Sequence, residues 1–144
     1  MQKRSEKSLV EAIRNCGIRA TQPRLRVLAF LQQSKYPQNV KGIVSGVGSM
    51  NIDQVTVYRI LDMFKKAGLV VQVDFQQDCA YYELKDAKHD HHHIVCTECH
   101  RVEDFTGCDY AKLADKALRQ VKGFAKVTHH SLELFGLCNS CHAK

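Results

Sequence analysis

Apolar positions in the first half of the chain recur at helical intervals. Leu9, Val10 and Ile13 follow Ser5 at the spacing of one helix face, and Gly17 stands where that helix must stop, which predicts a helix over 6–16. Thr21 takes the N-cap position of a second, with Pro23 tolerated in its first turn and Leu25, Val27, Leu28, Phe30 and Leu31 giving a broad apolar side. Residues 39–47 suggest a third helix against the propensity of Gly42 and Gly46. Asp53 caps a fourth, which Gly68 closes. The period then changes. Two strand-like runs, 69–75 and 80–84, are joined by Gln76, Gln77 and Asp78, and a polar stretch over 85–90 separates them from a second strand-rich part. There 91–96 and 101–105 read as a hairpin, Asp109 caps a helix over 110–121, and 125–137 holds a long strand, VTHHSLELFG.

Several helices followed by a hairpin is the order of a helix-turn-helix module with a two-stranded wing, whose last helix before the wing enters the major groove. The plainer reading is a small helical domain with a hairpin covering its core. The expected fold is α+β: a winged helix over 1–84, a hinge over 85–90, and an α/β domain with a small antiparallel sheet over 91–144.

Composition narrows the classes. With 144 residues, 44% hydrophobic and 25% charged, the chain is neither a large multidomain enzyme nor disordered. No apolar run approaches the roughly 20 residues that cross a bilayer, and MQKRSEKSLVEAIRNC has no secretory apolar core, so the expected location is the cytoplasm, with no membrane partner. Charge is divided unevenly: residues 1–72 carry 12 Lys and Arg against 4 acids, and residues 73–144 carry 9 against 11. A cationic front half points to a polyanion such as nucleic acid. All 8 histidines lie at or after His89.

The second half holds the candidate chemistry. Cys96 and Cys99 form one Cys-x-x-Cys, and Cys138 and Cys141 another. Each spacing lets two thiolates grip one ion from a tight turn, and four sulfurs suit a closed, structural Zn2+ site that ties the hairpin to the C-terminal end. Cys16, Cys79 and Cys108 are left as small buried hydrophobes. Both pairs are followed by histidine, His100 and His142, which is also the attachment pattern of c-type haem. Haem attachment of this kind implies export, and the cationic helical half is foreign to an electron carrier. In His89-Asp90-His91-His92-His93, strand alternation sends His91 and His93 one way and Asp90 and His92 the other, so two ligand sets emerge. Glu83, Asp104 and Asp109 are carboxylates near enough in sequence to complete them, and only one of His129 and His130 can join a given site. Mixed imidazole and carboxylate donors suit Fe2+, Mn2+, Zn2+ or Ni2+. The alternative is a solvated polar stretch.

Taken together, Thr-Gln-Pro-Arg24, Thr56-Val-Tyr58-Arg59, Tyr82-Glu83-Leu84, His91-His-His93, the two Cys-x-x-Cys pairs and His130-Ser-Leu-Glu-Leu-Phe-Gly136 resemble, in order and over nearly the whole chain, the ferric uptake regulator family of repressors. The resemblance implies a homodimer on palindromic double-stranded operator DNA, controlling metal-uptake or oxidative-stress genes and closing its DNA-binding domains when a sensor metal binds. It implies Tyr58 and Arg59 as the operator-contacting pair, with Thr56 beside them and Arg19 and Arg24 near the backbone. It implies Glu83, His91, His93 and Asp104 as sensor ligands, and Asp90, His92 and His130 at an auxiliary site.

Departures from the family pattern bear on the metal. Tyr36 falls where iron and peroxide sensors usually have a histidine in the DNA-binding domain, and Asp74, expected at the hinge, is the first substitute, ahead of Cys79 and Tyr36. Ala111 occupies the usual glutamate position of the auxiliary site, with Asp109 near, and His100 replaces a common glycine. Asp104 leans toward the peroxide-sensing branch, and Glu83, in place of a thiolate, leans away from the zinc-sensing one. Outside the family, a zinc hydrolase or deaminase lacks its His-x-Glu motif and a nucleophile with an adjacent base, so neither an enzyme nor a small organic substrate is expected. A metal buffer would bind ions but show no metal-dependent affinity for duplex DNA.

Overall fold

The computed structural model describes residues 5–48, 51–85 and 91–144. The chain divides into two compact units, Met1–Lys85 and Asp86–Lys144. Positions 86–90, most of the expected hinge, lie outside the described residues.

The first unit runs α1 (Glu6–Asn15), α2 (Gln22–Gln33), β1 (Gln38–Asn39), α3 (Val40–Gly46), α4 (Gln54–Lys66), β2 (Val70–Val73) and β3 (Tyr81–Leu84). Side-chain oxygens satisfy the free amides at three helix starts. Ser5 accepts from the Ser8 N–H at 3.3 Å, Asn39 from Gly42 at 2.8 Å and Asp53 from Thr56 at 2.7 Å. Thr21 stands at the N-cap of α2 without such a bond, and a proline in the first turn removes one of the amides that would need it. Ile13, Val27, Leu28, Ile43, Val57, Leu61 and Phe64 form the centre of one core shared by all four helices. β2 and β3 make the antiparallel hairpin, with Val70 opposite Leu84 and Val73 opposite Tyr81. β1 adds a third strand on the other side of β3; at two residues it is too short to show alternation in sequence.

Gly46 explains why α3 forms despite its glycines. An added Cβ there would fall on the Cε2, Cζ and Cδ2 atoms of Phe30, so the missing side chain is what lets α2 and α3 pack closely.

The second unit comprises β4 (His92–Cys96), β5 (Val102–Phe105), α5 (Tyr110–Gln120), β6 (Glu133–Gly136) and α6 (Asn139–His142). Asp109 caps α5 by accepting from the Lys112 N–H at 3.1 Å. The sheet order is β5-β4-β6. The expected antiparallel sheet is in fact mixed: β4 and β5 are antiparallel, but β6 runs parallel to β4, pairing His93 with Glu133 and Cys96 with Gly136. The long strand expected over 125–137 is corrected to four residues. Its ladder with β4 begins at the His93–Glu133 pair, so among the described residues only Glu133–Gly136 receive strand hydrogen bonds from that neighbour. No helix among the described residues is long and apolar enough to cross a membrane.

Replacing Gly46 by Ala should cost about 1–3 kcal/mol of stability through overpacking against Phe30. Phe30→Leu in the same chain should return part of that loss, a coupling measurable by denaturant unfolding of the four variants of the cycle.

Candidate functional site

The four cysteines of the paired motifs converge. Cys96 ends β4, and the turn after it is closed by the Cys96 N–H donating to the Arg101 carbonyl at 2.9 Å and the His100 N–H to the Cys96 carbonyl at 3.0 Å. His100 takes the left-handed conformation there, φ 59°. Cys138 and Cys141 flank the first turn of α6, whose Cys141 and His142 amides donate to the Cys138 carbonyl. The parallel pairing of β4 with β6, extended by Thr97 N–H donating to the Gly136 carbonyl at 2.8 Å, sets one motif against the other. One Sγ from each cysteine lies within 4.8 Å of the other three, and Cys99 and Cys138 are 3.7 Å apart. Zinc–sulfur bonds of about 2.3 Å in a tetrahedron put the sulfurs about 3.8 Å apart, whereas a disulfide needs about 2.05 Å. The thiols are tuned unequally. Backbone N–H groups of Cys99 and Cys138 pull the Cys96 thiol down to about 6, while donation to the Cys138 sulfur pushes Cys141 up to about 12. Four such groups can all ionise only around a cation, and the donor set fits zinc. Convergence of both pairs on one point answers to a single ion and not to two haem attachments.

The histidines divide as strand alternation requires. His91 and His93 face each other edge to face with ring centroids 5.2 Å apart, and His93 Nε2 lies 3.7 Å from Asp104 Oδ1 across the β4–β5 pair. His93 is buried and Asp104 is exposed in part. Of the expected sensor ligands, three thus share one region of the second unit; Glu83 stands on β3 of the first unit. His92 points to the opposite face, packing on Phe105, and its Nε2 is 3.2 Å from His130 Nε2.

Of the expected auxiliary ligands, His92 and His130 therefore meet, and Asp90 lies outside the described residues. Asp109 caps α5 and pairs with Lys112 Nζ at 2.9 Å. Cys108 joins the two imidazoles instead, with its Sγ 3.8 Å from His130 Nε2. The expectation that Cys16, Cys79 and Cys108 are buried small hydrophobes is corrected: Cys16 and Cys79 are exposed, and Cys108 is half-exposed beside two potential ligands. No motif links positions 92, 108 and 130, so spacing could not have singled it out.

In the first unit, α4 buries Val57, Ile60, Leu61 and Phe64 and turns Val55, Tyr58 and Arg59 to solvent, Tyr58 being 51% exposed. Thr56 sits half-buried beside the cap. Arg19 is exposed in the α1–α2 turn, where its carbonyl accepts from the Arg24 guanidinium at 2.7 Å. Asp74 lies in the β2–β3 loop, short of the 85–90 segment where a hinge position was expected, and its Oδ1 accepts from the Gln76 N–H at 2.7 Å. That bond makes it a turn-forming residue. Cys79 is in the same loop and accepts from Asn39 Nδ2 at 3.7 Å; Tyr36 precedes β1, with the Lys35 ammonium 4.9 Å from its ring centroid.

Comparison with known proteins agrees with this arrangement. The model of the "Ferric uptake regulator family" matches residues 15–135. The ferric uptake regulation protein of Cupriavidus metallidurans is 37% identical over 130 residues, 88% of either chain. Among solved structures, the Vibrio cholerae ferric uptake regulator superposes with a TM-score of 0.73 at 29% identity, covering 90% of this chain and 98% of that one. The Pseudomonas aeruginosa regulator, solved with manganese, gives 0.69 at 28% identity, with 90% and 96% covered. With a family model spanning most of the chain and a relative this similar along nearly its whole length, the chain belongs to the ferric uptake regulator family.

Proposed function

We propose that this chain is a metal-dependent repressor that binds operator DNA as a homodimer through α4 and carries two kinds of metal centre. Cys96, Cys99, Cys138 and Cys141 would hold structural Zn2+. His91, His93 and Asp104, with Glu83 from the first unit, would hold the regulatory ion, Fe2+, Mn2+ or Zn2+. The observation that carries the reading is the pairing of an outward Tyr58 and Arg59 on a capped helix of a cationic winged unit with a nitrogen and oxygen donor set in the same chain. Manganese in the Pseudomonas relative supports a hard divalent ion at such donors. A bound divalent ion would be held by ring nitrogens of His91 and His93 and would have its charge balanced by the carboxylates of Asp104 and Glu83. Tyr58 and Arg59 meet base edges and phosphates, and Arg19 and Arg24 meet the backbone.

Binding is coupled to the ion by linkage: an ion that prefers the DNA-competent arrangement raises its population by the difference in affinity between the two states.

Dimerisation is supported by what the second unit leaves uncovered. Its buried residues, among those described, are His92, His93, Val95 and Cys96, and α5 buries none. Ile94 and Leu134 are direct partners across β4 and β6, side by side on one sheet face, and stay about two-fifths exposed. So small a core is marginal alone, and a second copy is the occupant that the resemblance implies.

Three measurements test the reading. Fluorescence anisotropy of an operator duplex should show roughly 5- to 150-fold tighter binding with the regulatory ion, about 1–3 kcal/mol of coupling. His93→Ala should erase that gain while retaining zinc, and Arg59→Ala should weaken binding without changing the dimer; equal affinity with and without exchangeable ion would overturn the regulatory role. Stripping zinc with a chelator under reducing conditions should unfold the second unit, seen as lost circular dichroism that returns with zinc. The double variant Ile94→Glu, Leu134→Glu should sediment as a monomer with its zinc still bound.

A further inference from the structure

We infer that Cys108 supplies a thiolate ligand to the auxiliary site at His92 and His130, which gives that site, separate from the four-cysteine centre and the sensor, a preference for a borderline or soft ion such as Zn2+. It goes beyond the regulatory reading, since neither DNA contact nor the sensor uses these side chains. Relative to the auxiliary site implied by resemblance, it places a sulfur where an acid was expected.

Three separate elements deliver the donors. His92 opens β4, Cys108 sits in the turn between β5 and α5, and His130 precedes β6. Gly107, at φ 96°, supplies the left-handed residue that turns the chain into Cys108. All three donor atoms lie within 4.8 Å of one another, with nitrogen to nitrogen 3.2 Å and sulfur to nitrogen 3.8 Å. Zinc–nitrogen bonds of about 2.0–2.1 Å and a zinc–sulfur bond of about 2.3 Å, set tetrahedrally, require about 3.3 Å and about 3.6 Å between those atoms. The group is therefore near the edge lengths of a coordination tetrahedron, with one corner open.

The surroundings fix the ligands in place. Tyr110 stacks on the His130 ring, centroids 4.4 Å apart and 15° from parallel, and Phe105 covers His92 at 5.5 Å. Rings held this way keep Nε2 aimed inward without an ion to orient them, which lowers the cost of ordering on binding. A thiolate with two imidazoles favours zinc over iron(II) or manganese(II), which prefer oxygen donors. Because His92 and His93 project from opposite faces of β4, loading one site leaves the donors of the other available.

The test uses the full-length reduced protein with zinc already in its four-cysteine centre. Added Co2+ should produce thiolate-to-cobalt charge-transfer absorption, and zinc competition against a chromophoric chelator should show one more zinc per chain than Cys108→Ser binds, or at least tenfold tighter binding of that ion. Cys108→Ser and His130→Ala should lose the absorption, while His93→Ala keeps it. Retained zinc in the four-cysteine centre and an unchanged dimer show that the variants fold. The same absorption and zinc affinity in Cys108→Ser as in the parent would overturn the site. Operator binding with Mn2+ reads the sensor separately, so failure here would leave the regulatory reading standing.

Discussion

The second unit is held by four sulfurs drawn to one point. Its apolar core is too small to fix a sheet and a helix, and α5 contributes nothing buried to it. What joins the hairpin to the C-terminal end is the parallel β4–β6 ladder and, at its end, the meeting of Cys96 and Cys99 with Cys138 and Cys141. The two depend on each other. The ladder aligns the motifs, and an ion held among the thiolates would close a loop of about 40 residues that backbone hydrogen bonds alone would close at an entropic cost.

Every other feature of this unit hangs from β4. Because the strand is anchored at Cys96, its alternation sends His93 toward Asp104 and His92 toward His130 and Cys108, so one five-residue element separates a nitrogen and oxygen donor set from a sulfur-containing one. On the proposed reading, ligand hardness would divide the ions between them, hard ions to the oxygen-bearing set and softer ones to the set that includes Cys108.

The first unit is built on different physics. Its stability comes from one apolar core shared by four helices and a hairpin, with helix ends satisfied by Ser5, Asn39 and Asp53. With the buried face of α4 committed to Val57, Ile60, Leu61 and Phe64, the outward face is fixed by helical geometry, and it is this face that presents Tyr58 and Arg59 to solvent. On the proposed reading, the residues that contact DNA could change without disturbing the core.

Much of this was legible from sequence because it is local. Helix starts follow from single capping residues, burial along α4 from a 3.6-residue period, and the paired cysteines from a two-residue gap, so the α+β class, the winged order and the four-thiol cluster needed no coordinates. What the tertiary structure alone decided is non-local. Gly46 argues against a helix until Phe30 is seen to occupy the space its side chain would fill. The length of β6 depends on where its ladder with β4 begins, and its direction on how the chain returns after α5. Cys108 becomes a neighbour of His92 and His130 only once a turn and two strands are assembled, because residues 16 and 22 positions apart leave no periodic trace in a sequence and meet only through the path of the backbone between them.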